Sequence, residues 1–154
     1  MTNQMTVLIM FIALGIAAVN ADQGRPQVLG FAGYEYGSGI TGIAKDMESE
    51  GYTLIDRTDS SLWYSSTFVG IDCELGYIFT GNLLIGGSFI LKSATERDFA
   101  KVSNHLNQIY QVRSNIEIKE DAIVLTTIDA PDSAITHMLD LKQDMHEVTY
   151  IREE

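Results

Sequence analysis

The run Phe68-Val-Gly-Ile-Asp-Cys-Glu-Leu-Gly-Tyr-Ile-Phe79 alternates almost without fault. Val69, Ile71, Cys73, Leu75, Tyr77 and Phe79 share one side, and Gly70, Asp72, Glu74 and Gly76 share the other. A period of two belongs to a β-strand whose faces meet different surroundings. Thr80-Gly81-Asn82 follows, and these residues tolerate the positive φ of a tight reversal. Leu83 to Leu91 then returns with Leu83, Ile85, Phe89 and Leu91 on one side. The pattern predicts a β-hairpin with one dry and one wet face, so the fold must set another apolar layer against the dry side.

Two segments can supply that layer. Ile40, Ile43, Ala44 and Met47 recur at helical spacing, with Ser38 as candidate N-cap and Gly51 as a natural stop. Thr95-Glu-Arg-Asp98 has the form of a capping box, and Phe99, Val102, Leu106 and Ile109 make an apolar stripe through about Tyr110. Shorter strand patterns surround both helices. Val28–Tyr36 reads as a glycine-rich first strand, and Tyr52 with Leu54, and Leu62 with Tyr64, fit further strands. Residues 116–118, 122–129, 133–141 and 147–152 follow as a meander punctuated by Lys119-Glu-Asp121, Ala130-Pro-Asp132 and Lys142-Gln-Asp144. The fold class expected is α+β: an antiparallel β-sheet with two helices packed on one face, arranged as two β-α-β-β-β repeats.

Three patches carry a family resemblance. They are Ala44-Lys-Asp-Met-Glu-Ser-Glu-Gly51, the hairpin Gly70-x-x-Cys73-x-x-x-Tyr77-x-Phe79-x-Gly-Asn-Leu83 with the Phe99–Tyr110 stripe, and Thr126-Thr-Ile-Asp-Ala-Pro-Asp-Ser-Ala-Ile135. Through them the chain resembles a loose family of small, exported, functionally uncharacterised bacterial proteins with a two-repeat sheet-and-helix layout. The resemblance implies that layout and export. It transfers no catalytic residue.

Thr6 to Val19 is an uncharged apolar run, followed by the small-residue site Val19-Asn20-Ala21. Such a run is too short to span a bilayer and reads as the core of a signal peptide, so residues 1–21 are assigned to it, with cleavage after Ala21; an uncleaved membrane anchor and a buried core helix are the alternatives. Residues 22–154 then form a single domain, exported to the periplasm or secreted. Every Lys, Arg, Asp and Glu lies in that part, so it keeps the whole formal charge of −11. A field of that sign repels phosphate backbones and anionic lipid. Nucleic acid and membrane surfaces are therefore not expected as partners, whereas a basic protein or small ligand is. Cys73 is the sole cysteine, which precludes an internal disulfide, and its place in the strand points to burial.

The search for chemistry yields little. No Gly-x-Ser-x-Gly, Cys-x-x-Cys or His-x-x-x-His occurs, and Gly30-x-x-Gly33-x-x-x-Gly37-x-Gly39 has the wrong spacing for a phosphate loop. Acid groups such as Asp129 with Asp132, Glu120 with Asp121, and Asp140 with Asp144 lack the calcium-loop pattern. No catalytic set, metal or cofactor is expected. Of three histidines, His105 should be solvated on its helix and His146 exposed in a polar turn. His137 shares a face with Ile135, Leu139 and Leu141 and could approach a cleft. The aromatic residues Tyr34, Tyr36, Trp63 and Tyr64 are the candidate binding residues. The reading is a non-enzymatic binding or interaction module of the envelope or secreted space, such as an acidic inhibitor or adaptor. Its alternatives are a small hydrolase using His137 with nearby carboxylates, and an assembly subunit joined through a sheet edge.

Overall fold

A computed structural model describes residues 17–19, 26–28, 30–110, 114–119, 123–130 and 133–153. The segment assigned to export lies outside the described residues apart from β1 (Ala17–Val19), which pairs antiparallel with β2 (Pro26–Val28). A second small hairpin follows, β3 (Gly30–Phe31) and β4 (Tyr34–Glu35). The sequence reads this stretch as one strand. Ala32 and Gly33 both take positive φ, 45° and 90°, and reverse the chain in the middle of it.

Helix α1 (Ile40–Ser49) buries Ile40, Ile43 and Met47, the spacing expected. Its N-cap is Gly39 instead of Ser38, and no side chain caps it. The chain leaves through Gly51 at φ 82°, the left-handed conformation that glycine adopts most readily. Four strands then run in succession: β5 (Leu54–Arg57), β6 (Ser61–Phe68), β7 (Ile71–Thr80) and β8 (Leu83–Leu91). Helix α2 (Glu96–Tyr110) opens on the expected box, with the Asp98 amide donating to Thr95 Oγ1 at 3.2 Å and the Thr95 hydroxyl donating to Asp98 Oδ2 at 3.0 Å. Beyond it come β9 (Ser114–Lys119), β10 (Ile123–Ala130), β11 (Ser133–Asp140) and β12 (Met145–Arg152). Pro131, expected to break the meander, lies outside the described residues.

Among the described residues, eight strands make one antiparallel sheet in the order β5-β6-β7-β8-β12-β11-β10-β9. Each helix is thus followed by four strands, the number of strand patterns read after each in the sequence, whereas a β-α-β-β-β unit would have three. The strand expected before α1 is instead the small β3–β4 hairpin, apart from the main sheet. The central contact pairs β8 with β12, the one neighbouring pair in this sheet not consecutive in sequence.

Directly paired residues project to the same side of a sheet, so register carries each face across the strands. Tyr64, Leu75, Phe89, Val148, His137 and Thr126 form one row. Trp63, Gly76, Ser88, Thr149, Thr136 and Thr127 form the adjacent row on the other face. Both helices cover the first face. The Tyr77 hydroxyl lies 3.6 Å from Met47 Sδ on α1, and Phe99 of α2 stacks on His137 with ring centroids 4.0 Å apart. Ile43, Met47, Val102, Leu106 and Tyr110 join Leu62, Leu75, Tyr77, Phe89 and Val148 in a single core. Burial of each such side chain is worth about 1.5–3 kcal/mol.

The alternation fails in one place, and a bulge explains it. Register shifts between Ile78 and Phe79, so Phe79 pairs with Leu84. A one-residue slip moves side chains to the opposite face. Leu84 is therefore buried, whereas Leu83, expected in the core with Ile85, is 51% exposed. Val69, in the β6–β7 turn at φ 53°, is half-buried and still packs against the core.

Candidate functional site

Among the described residues, the row of the helix-free face that runs through Trp63 is otherwise small and hydroxylic, whereas the rows beside it also carry Ile78, Ile151, Ile90, Met138 and Leu125. Gly76 makes room for Trp63. A Cβ there would fall 2.4–2.5 Å from three carbons of the Trp63 ring, so the ring lies directly on the strand backbone. Ser88, Thr149, Thr136 and Thr127 continue the same row across four strands. The Thr149 hydroxyl donates to Glu147 Oε1 at 2.9 Å, so the 3.0 Å contact with Ser88 is donated by the Ser88 hydroxyl. The next row sets Glu74, Ile90 and Glu147 side by side, with Lys92 Nζ 3.9 Å from Glu74. Asp72 projects from β7 on the same side. The face offers a half-buried aromatic ring and carboxylates, while the Ser88 hydroxyl is buried and bonded to Thr149.

The four aromatic residues expected to bind are not brought together. Tyr64 points into the core at 3% exposure and meets Tyr77 edge to face, with centroids 6.3 Å apart. Tyr34 packs edge-on against Tyr77 from the β3–β4 hairpin, centroids 5.6 Å apart. Burial, with Asp46 and Glu50 nearby, pushes its phenol up to about 12. Tyr36 accepts a hydrogen bond from the Ser133 hydroxyl at 3.1 Å. All three face the helical layer, and Trp63 alone faces away. Period two carries the signal for this division, since Trp63 and Tyr64 are adjacent in one strand and must part.

The histidines depart further from expectation. His146, expected exposed, lies within β12 and is wholly buried, as is His137. Their Nε2 atoms are 2.8 Å apart. His137 Nδ1 lies 3.2 Å from Ser103 Oγ of α2, and His146 Nδ1 lies 2.8 Å from the Ser93 carbonyl. Burial, and then the neighbouring His146, pulls His137 down to about 3, and burial also lowers His146. The rings are therefore neutral near pH 7. None of the hydrogen bonds to His137 comes from a carboxylate. His105, expected in solvent, meets Phe68 edge-on at 5.7 Å between centroids. The spacing of nine residues between His137 and His146 is a hairpin register only once β11 and β12 are paired, which is why single-strand patterns miss it.

A cavity of 440 Å³ lies elsewhere, at the N-terminus of α1, lined by Gly39, Ile40, Thr41, Arg57, Asn82 and Leu83 among others. It holds none of the histidines. Cys73 is buried as expected, and burial raises its thiol to about 12. Among the described residues, no three His, Cys, Asp or Glu side chains are placed to hold a metal ion, and no helix is long and apolar enough to cross a membrane. No family model, curated protein or solved structure matches this chain.

Proposed function

We propose that this chain is an exported, non-enzymatic binding module whose helix-free sheet face engages a basic protein partner. The observation that carries the reading is the seating of Trp63 on Gly76, with Glu74 and Glu147 in the next row of the same face. An aromatic ring beside carboxylates suits an arginine- or lysine-bearing surface, since a cation gains from both the ring and the acids. The formal charge of −11 supports it by steering such a partner into encounter. Nucleic acid and anionic membranes remain outside this reading for the same reason. The two runs of helix followed by four strands, joined at β8 and β12, support a duplicated unit, of which only the first half carries the tryptophan.

The test is a pull-down from envelope and culture fluid, followed by titration of the recovered partner against the protein's own fluorescence. Trp63 is the only tryptophan, so emission reports that face alone. Trp63→Ala should weaken the complex about tenfold or more, equivalent to about 1.4 kcal/mol. Association should slow steeply with salt. Binding that leaves Trp63 emission unchanged and ignores both substitution and salt would remove this reading.

A further inference from the structure

We propose that His137 and His146 form an acid-operated latch, which holds α2 on the sheet when both rings are neutral and releases it when the pair takes up protons. The ends of the hydrogen-bonded chain decide its direction. The Ser93 carbonyl can only accept, so His146 Nδ1 carries a proton. In a neutral ring His146 Nε2 is then bare and accepts from His137 Nε2–H. His137 Nδ1 is bare in turn and accepts from the Ser103 hydroxyl. Every ring nitrogen is satisfied, in one arrangement, with no charge on either ring.

Protons undo that arrangement in two steps. The first leaves a buried cation, which burial disfavours. The second turns His146 Nε2 into a donor and sets two N–H groups face to face across 2.8 Å, where no hydrogen bond can form.

The surroundings do not rescue the charged forms. On α2, the Asp98 carboxylate accepts from the Ser93 and Thr95 hydroxyls and favours a proton on His146 through its charge. Glu96, Arg97 and Lys101 on the same helix are exposed, and His105 is turned to Phe68. Lys92, ahead of the helix, reaches toward Glu74. The sheet presents Leu91, Thr126, Leu139 and Val148 in the rows of the two rings, none of which ionises, and beyond Leu91 the Cys73 thiol stays neutral. Glu147 and Asp140 project from the opposite face. Asp140 there accepts from the Lys142 and Gln143 amides.

The helix is the partner that yields. Both histidines sit on strands paired along their whole length. Helix α2 and its lead-in hold them through the Phe99 ring, the Ser103 hydroxyl and the Ser93 carbonyl. Loss of these contacts frees the first two turns of α2 and uncovers the apolar face of β11 and β12.

Amide hydrogen exchange on the full chain, corrected for intrinsic rate, tests the latch at pH 7 and pH 5. Between pH 7 and pH 5, protection of α2 should fall about 25-fold for one proton bound and about 600-fold for two, while β7 and β8 stay protected. A variant carrying His137→Gln and His146→Gln keeps hydrogen-bonding groups without titrating, and should lose this pH dependence. Equal protection of α2 at both pH values overturns the proposal, as does an undiminished loss in the variant. Ring-proton titration of the wild-type chain decides the matter if the variant does not fold. Both buried rings titrating near 6.5 with α2 still protected also overturns it.

Discussion

Two glycines on adjacent strands make contrasting predictions, because their missing side chains face opposite layers. A Cβ on Gly76 would meet Trp63 ring carbons at 2.4–2.5 Å, whereas one on Gly87 would meet Phe31 ring carbons at 2.0 and 2.3 Å and the Gly76 carbonyl oxygen at 2.4 Å. Trp63 borders solvent and can swing aside. Phe31 is 1% exposed, wedged against Tyr77, Phe89 and Tyr150, and the carbonyl is backbone. Overpacking costs about 1–3 kcal/mol, and replacing glycine by alanine inside a strand returns about 0.5–1 kcal/mol. Gly76→Ala should thus lie within about 1 kcal/mol of wild type, and Gly87→Ala should lose about 3 kcal/mol, since neither of its neighbours can move. For a domain of this size that separates the melting temperatures by roughly 10 °C. The spectra should separate the other way. Gly76→Ala lifts the only tryptophan off the sheet, red-shifting its emission and increasing acrylamide quenching, and Gly87→Ala leaves emission unchanged below its melting point. Equal destabilisation by the two, or an unmoved emission in Gly76→Ala, would refute the placement of Trp63 on the open face.

Cys73 should resist a thiol reagent in the native protein and react fully in denaturant, because its thiol is both buried and raised to about 12. Rapid native labelling would contradict its burial. Leu106→Ala, at 0% exposure on α2, should cost about 2–5 kcal/mol in urea denaturation. Stability should also fall on acidification. The folded pKa of His137, about 3, lies below the ordinary 6.5, so its contribution is whole above pH 6.5 and declines as pH drops toward 3. The decline at pH 5 is about 2 kcal/mol from this ring, measurable as a lower urea midpoint that His137→Gln abolishes.

Period two and period 3.6 made most of the layer arrangement legible. Ile71, Cys73, Leu75 and Tyr77 face the core as the alternation demands, and Thr95 caps α2 as its spacing demands. The failures share one cause, which is geometry set by a partner strand or by a single backbone residue. Leu83 changed face because of a bulge defined only by pairing with β7. The β3–β4 reversal depends on Ala32, a residue type with no turn preference, adopting φ 45°. The candidate site was half legible. Trp63 and Tyr64 could be found as aromatic, yet their separation required deciding which side of β6 met the helices. His146 looked like part of a polar turn because Gln143, Asp144 and Glu147 surround it in sequence. Pairing with β11 and β8 places it beside His137 and opposite Leu91.

The β8–β12 contact bears on how such a chain assembles. Strands β5 to β8 pair in sequence order, and so do β9 to β12, so each set closes through short loops at small entropic cost. Leu91 and His146, neighbours across the central contact, lie far apart along the chain and meet only when the two sets have formed. A break in the backbone between the sets would leave two fragments whose remaining route to the native state is bimolecular recombination, along β8 and β12 and through the shared core.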